Sequence, residues 1–163
     1  MSKLSIIGEK MAEDPGFIIK FYDKEYEQKN VLELIEAPVS AISGVTESDA
    51  EKLEKSLKIK TVKDLATNEY VRLAQTLTNF NEFAEQALDK KFYSKELMDL
   101  SEHPVNALKG LSEDDAELLR TAFNIKTISD LARNKYVSIA QTTYALAALV
   151  DLLFKMRERE KTI

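Results

Sequence analysis

The side chains in this sequence that could do chemistry are few, and most of them come in pairs. Lys55, Lys58, Lys60 and Lys63 form a short basic run, with Arg120, Lys126, Arg133 and Lys135 as a looser counterpart. Cations so spaced could track a phosphate backbone by displacing its counterions. They could equally balance nearby carboxylates in water. Within these runs Lys60 and Lys126 are the pair kept identical at matching positions. The acids Glu47, Asp49 and Glu51, and again Glu113, Asp114, Asp115 and Glu117, crowd two short stretches. A Ca²⁺ site needs several converging oxygens and usually the D-x-[DN]-x-[DN]-G spacing. That pattern is absent, and helix capping with a solvated face accounts for the acids. Asn68, Tyr70 and Gln75 recur as Asn134, Tyr136 and Gln141. Either they form a recognition surface used twice, or they are structural. A half-buried tyrosine seeks a partner for its hydroxyl, and a buried amide must be satisfied. His103 stands alone beside Pro104, with no partners for a triad or a metal site.

No nucleotide-binding glycine loop, zinc-protease motif or nucleophile elbow is present. With no cysteine there is no disulfide framework, thiolate metal site or cysteine nucleophile, and a reducing, cytoplasmic setting is expected. Neither a cofactor nor a metal is expected, and the chain does not read as an enzyme. The 163 residues carry a net charge of −5, which weighs against nucleic acid as a partner. No apolar run approaches the ~18 residues of a membrane span, so no membrane partner is expected.

The elements that must position these residues follow from a repeat. Pro38 to Thr76 aligns without gaps with Pro104 to Thr142, an offset of 104 − 38 = 66, and 21 of the 39 positions are identical. The register extends back to Phe17 and Phe83. The chain therefore divides into an N-terminal helical extension (1–16), repeat 1 (17–82), repeat 2 (83–148), and the end of a last helix with a charged C-terminus (149–163). Only four glycines and three prolines occur, too few turn residues for an all-β fold. The expectation is all-α.

Asp14-Pro15 reads as a cap opening a helix that carries Phe17, Ile18, Phe21, Tyr22 and Tyr26. Val31–Glu36 reads as a short helix ended before Pro38. Thr46 with Asp49, Ser112 with Asp115, Thr61 with Asp64 and Thr127 with Asp130 have capping-box spacing, with a shorter acid than usual. Helices follow with Ala50, Leu53 and Leu57 on one face, and Ala116, Leu119 and Phe123 in the second copy. Asn68 and Asn134 end the next short helices or cap the long ones. The first long helix carries Tyr70, Leu73, Ala74, Leu77, Phe80 and Ala84 on its apolar side. The second carries Tyr136, Ile139, Ala140, Leu146, Val150 and Leu153. No glycine or proline interrupts either helix, so the first should run into the second copy without a flexible linker.

Gly44, Ala50, Leu53, Ile59, Thr61, Asp64, Leu65 and Ala66, with their counterparts Gly110 to Ala132, spell a helix, a glycine turn, a second helix and I-x-T-h-x-D-L-A. This resembles a helix-hairpin-helix unit. The stretch from Pro38 to Leu65 is also similar to the C-terminal domain of the bacterial RNA polymerase alpha subunit. The resemblance covers ~30 residues of each copy. It implies two helix-hairpin-helix-like units and sequence-nonspecific DNA binding, with a phosphate held by hairpin N–H groups at a helix N-terminus. Gly44, Lys60, Lys63, Gly110 and Lys126 would be the contacts. The usual second hairpin glycine is replaced by Thr46 and Ser112, and the position of a DNA-contacting arginine aligns with Ser48 and Asp114. The acids at the helix starts would repel phosphate. The expected role is therefore a non-enzymatic helical interaction or scaffold module, binding a protein partner or itself. Nonspecific nucleic-acid binding is the alternative. An apolar ligand between the copies, admitted by the small residues Ala140, Ala145, Ala147 and Ala148, is a third possibility.

Overall fold

The computed structural model describes residues 3, 6, 9, 10, 16–89, 91 and 99–162, the side chain of residue 17 excepted. The expected cap at Asp14-Pro15 lies outside these residues. The fold is all-α: among the described residues no strand forms, and extended pairings are limited to isolated bridges.

Local capping chemistry sets the helix starts. Thr46 opens α2 (Glu47–Leu57) and Thr61 opens α3 (Val62–Thr67), each with a complete capping box closed by an aspartate. Ser112 opens α5 (Glu113–Phe123) and Thr127 opens α6 (Ile128–Ala132) in the same way. The shorter acid still reaches the cap N–H, so two orphan donors are satisfied at each start. Upstream, Asn30 caps the single turn α1 (Val31–Leu34), shorter than the sequence suggests.

Asn68 and Asn134 cap the long helices α4 (Glu69–Ala87) and α7 (Lys135–Lys161). Each side-chain oxygen accepts from two N–H groups, those of Tyr70 and Val71 or of Tyr136 and Val137. Helices α2 and α5 end alike. Lys58 (φ 61°) and Asn124 (φ 57°) are left-handed, and the Ile59 and Ile125 N–H groups reach back to Leu53 and Leu119. That turn buries both isoleucines.

The segment before α1 departs from expectation. Ile18, Phe21 and Tyr22 were expected on an α-helix. Gly16–Phe21 and Lys24–Tyr26 are instead two 3-10 turns. The reason is tertiary. The chain here lies beside residues 41–43, where Asp23 N–H donates to Ala41 O and Ser43 N–H to Phe21 O. A straight α-helix could not follow that edge.

Packing is reciprocal between the two halves of the sequence. Helix α3 packs on α7 and its counterpart α6 packs on α4, while α2 and α5 pack on each other. One contiguous core runs through both halves, with Leu53, Ile59 and Val62 from one and Leu119, Ile125 and Ile128 from the other. Helix α4 crosses the 82/83 boundary without interruption.

Helix α7 corrects one expectation. Within Ile128–Lys161 an 18-residue window reaches a mean hydropathy of 1.5, enough by length and composition to cross a membrane. No contiguous apolar run signals this, because Gln141, Thr142 and Thr143 interrupt it while no charge falls between 136 and 150. A third of that window is buried in the molecule. Ala140, Thr143, Ala147 and Val150 form its core face.

Candidate functional site: the two glycine hairpins

At each hairpin a glycine turns the chain into the cap of a helix. Gly44 has φ +95° and Gly110 has φ +103°, a region side chains disfavour. Space is closed as well. A Cβ on Gly44 would stand 2.7 Å from the hydroxyl oxygen of Tyr136, which lies on α7 in the other copy. The Tyr136 hydroxyl donates to Gly44 O at 3.3 Å. The Tyr70 hydroxyl of α4 approaches Gly110 closer still. Each glycine therefore seats a tyrosine from the opposite copy.

The hairpin N–H groups are engaged too. Thr46 N–H donates to Asp49 Oδ2 at 3.1 Å, and Asp49 N–H to Thr46 Oγ1 at 3.0 Å. Ser112 N–H donates to Asp115 at 2.9 Å, and Asp115 N–H to Ser112 Oγ at 3.0 Å. A carboxylate thus already occupies the positive end of each helix.

Lys60 and Lys126 are exposed, but their backbones hold the fold together. Their carbonyls accept from Val39 and Val105, and their N–H groups donate to Asp64 and Asp130. The Lys60 ammonium pairs with Glu54 at 3.5 Å. Lys63 is exposed on α3. The cleft beside Lys60 is lined by Glu51, Glu54, Lys55 and Lys58, and the one beside Lys126 by Glu113, Glu117 and Arg120. Both clefts mix the two signs of charge. Burial pushes the Asp64 and Asp130 carboxyls up. The N–H groups of residues 60 and 61, or 126 and 127, together with the lysine charge, outweigh this and hold both below the ordinary aspartate value.

The repeated polar residues meet across the two halves. Gln75 Nε2 donates to Gln141 Oε1, and Gln141 Nε2 to Gln75 Oε1, both at 2.8 Å. Within its own half, Tyr136 packs against Phe123 with the rings tilted and their centroids 4.8 Å apart. Asn68 reaches back to Leu57 O at 3.1 Å while capping α4. Structure therefore accounts for these side chains.

Ala140 and Ala147 are packed in the core, and Ala145 and Ala148 are exposed. None of the four lines the groove beside Tyr136. That groove, of about 600 Å³, lies between Ile18, Phe21 and Ser43 on one side and Tyr136, Ile139 and Thr142 on the other, with Arg133 and Lys135 also lining it. His103 is exposed, and its carbonyl accepts from Ile128.

One feature escaped sequence reasoning. Leu73 and Phe80, expected on the buried side of α4, are exposed, and Phe83 is more so. The signal lay in the repeat register, which assigns residues 17–22 and 83–88 to the same place although only one copy can continue a preceding long helix there. Comparison with protein-family models, with curated proteins and with solved structures finds no match.

Proposed function

We propose that the chain is a non-enzymatic helical interaction module of the cytoplasm, built from two helix-hairpin-helix-like units and acting through protein–protein contacts. One observation carries this reading. At both hairpins the groups that a phosphate-binding relative would offer are turned to internal use: the glycine seats a tyrosine, and the cap N–H groups bond their own aspartate. The acidic first turns of α2 and α5 add repulsion toward phosphate. The alternative, sequence-nonspecific nucleic-acid binding, draws on the exposed Lys60, Lys63 and Lys126 together with the glycine turns at Gly44 and Gly110.

A low-salt gel shift with mixed-sequence duplex DNA separates the two. The expected result is no shift at about tens of micromolar protein, weaker than ordinary nonspecific binding. A salt-sensitive shift lost in Lys60→Glu/Lys126→Glu would move the assignment to the alternative. In parallel, the immobilised full chain should retain and crosslink a defined protein from native lysate. A clean monomer that retains none would count against the module.

A further inference from the structure

We infer that the groove between the 3-10 turn Gly16–Phe21 and the start of α7 is a binding site for a small amphipathic carboxylate, an apolar chain ending in one anionic group. This goes beyond the interaction-module reading and does not depend on it. It rests on a preformed apolar trough and on the sign of the charge beside it.

The walls are held in place by the fold itself. Asp23 N–H donates to Ala41 O at 2.9 Å and Ser43 N–H to Phe21 O at 2.8 Å, which fixes the turn. The Tyr22 hydroxyl shares a 2.7 Å hydrogen bond with Thr143 and ties that wall to α7. Ile18 and Phe21 line one side of the gap, Tyr136 and Ile139 the other. Phe21 is left 43% exposed there. A volume of about 600 Å³ lies within the usual range of small-molecule sites, which are mostly apolar with a few polar groups.

The polar groups decide what kind of molecule fits. The hydroxyl protons along the groove are already engaged. Ser43 donates to Asp23 at 3.1 Å, Ser138 to Asn134 O at 3.4 Å and Thr142 to Ser138 O at 2.8 Å. The Arg133 guanidinium is engaged as well, by Glu82. Lys135 differs. It is exposed, and among the described residues its ammonium has no carboxylate partner; it stands 5.0 Å from the centroid of the Tyr136 ring.

Charge at this groove has one sign. Glu51 and Glu54 line the cleft beside Lys60, and Glu113 and Glu117 the one beside Lys126. Among the described residues no carboxylate lines the groove at Lys135. The first turn of α7 likewise carries no acid, unlike those of α2 and α5. Asp23, bonded to Ser43 on the opposite wall, keeps an anion on the Lys135 side. The ligand therefore sets its carboxylate at the Lys135 ammonium and lays its chain against Ile18, Phe21 and Ile139.

The probe is decanoate, titrated into the isotope-labelled full chain and followed by NMR, with decylammonium as the control of equal length and opposite charge. Saturable shifts are expected at Ile18, Phe21, Lys135 and Ile139, with a dissociation constant on the order of 0.1 mM for decanoate. Decylammonium should bind on the order of tenfold more weakly. Lys135→Gln, at an exposed position, should weaken decanoate by about fivefold without weakening decylammonium. Ser138→Trp fills the trough and should remove the binding of decanoate while the far-UV circular dichroism of the chain is kept. If that variant does not fold, Lys135→Gln still decides. No saturable shifts, shifts confined to the exposed Leu149 and Leu152 or to Phe80 and Phe83, decylammonium binding as well as decanoate, or equal decanoate binding by Lys135→Gln would each overturn the inference.

Discussion

Replacing Gly44 with alanine tests the central claim about the hairpins. At φ +95° an L residue is strained by roughly 1–3 kcal/mol. The new Cβ would lie 2.7 Å from the Tyr136 oxygen, so the ring must retreat and its 3.3 Å bond to Gly44 O is lost, a further ~1 kcal/mol. Alanine returns roughly 0.4–1 kcal/mol by narrowing the unfolded ensemble. The net cost is about 2–3 kcal/mol. Removing the oxygen changes the balance. In Tyr136→Phe the nearest atom becomes Cε1 at 3.4 Å, an ordinary contact. Gly44→Ala should then cost about 1 kcal/mol less in the Tyr136→Phe background, a coupling a double-mutant cycle resolves. Urea unfolding followed by far-UV circular dichroism reads it. With a slope of about 2 kcal/mol per molar, the Gly44→Ala midpoint falls by roughly 1–1.5 M. A cost below about 0.5 kcal/mol, or a coupling of zero, would refute the claim that the glycine is there to seat the tyrosine.

Three further outcomes follow from other contacts. Gln75→Leu leaves the Gln141 amide without its partner and should cost about 1–3 kcal/mol, while Gln75→Leu/Gln141→Leu should cost less than the two singles summed, measured by the same unfolding assay. Lys58→Gly should stabilise the fold by about 0.5–1 kcal/mol, because a left-handed residue at φ 61° closes α2 and glycine adopts that conformation without strain; a lower melting temperature would contradict this. Tyr22 is held neutral by burial, its pKa raised to about 12 although the hydrogen bond shared with Thr143 opposes the shift. Its contribution to stability is therefore complete below pH 10.0, the unfolded value, and is lost as pH rises through about 12. Tyr22→Phe should flatten the alkaline fall of the urea midpoint, and an unchanged slope would exclude this residue as its source.

The helix starts were legible because capping is local. Threonine or serine three residues before aspartate satisfies the same two N–H groups wherever it occurs, and the four boxes at Thr46, Thr61, Ser112 and Thr127 all form. The segment after Gly16 is ambiguous in sequence for a matching reason. Spacing of three and four residues suits a 3-10 turn nearly as well as an α-helix, and what selects the turn is pairing with residues 41–43. Leu73 and Phe80 were placed on the buried side because amphipathic spacing says which residues share a face, not which face finds a neighbour.

The sequence by itself determined the helical class, its own 66-residue internal similarity and the position of each glycine turn, since propensity, capping and the scarcity of turn residues act within a few residues. It also marked the acids at the helix starts. Only the tertiary structure decided what the paired residues do. Tyr136 meets Gly44 across 92 positions, and Gln75 meets Gln141 across 66. Contacts so distant in the chain leave no local pattern. The same holds for Leu73 and Phe80 on α4, whose exposure no local spacing announces.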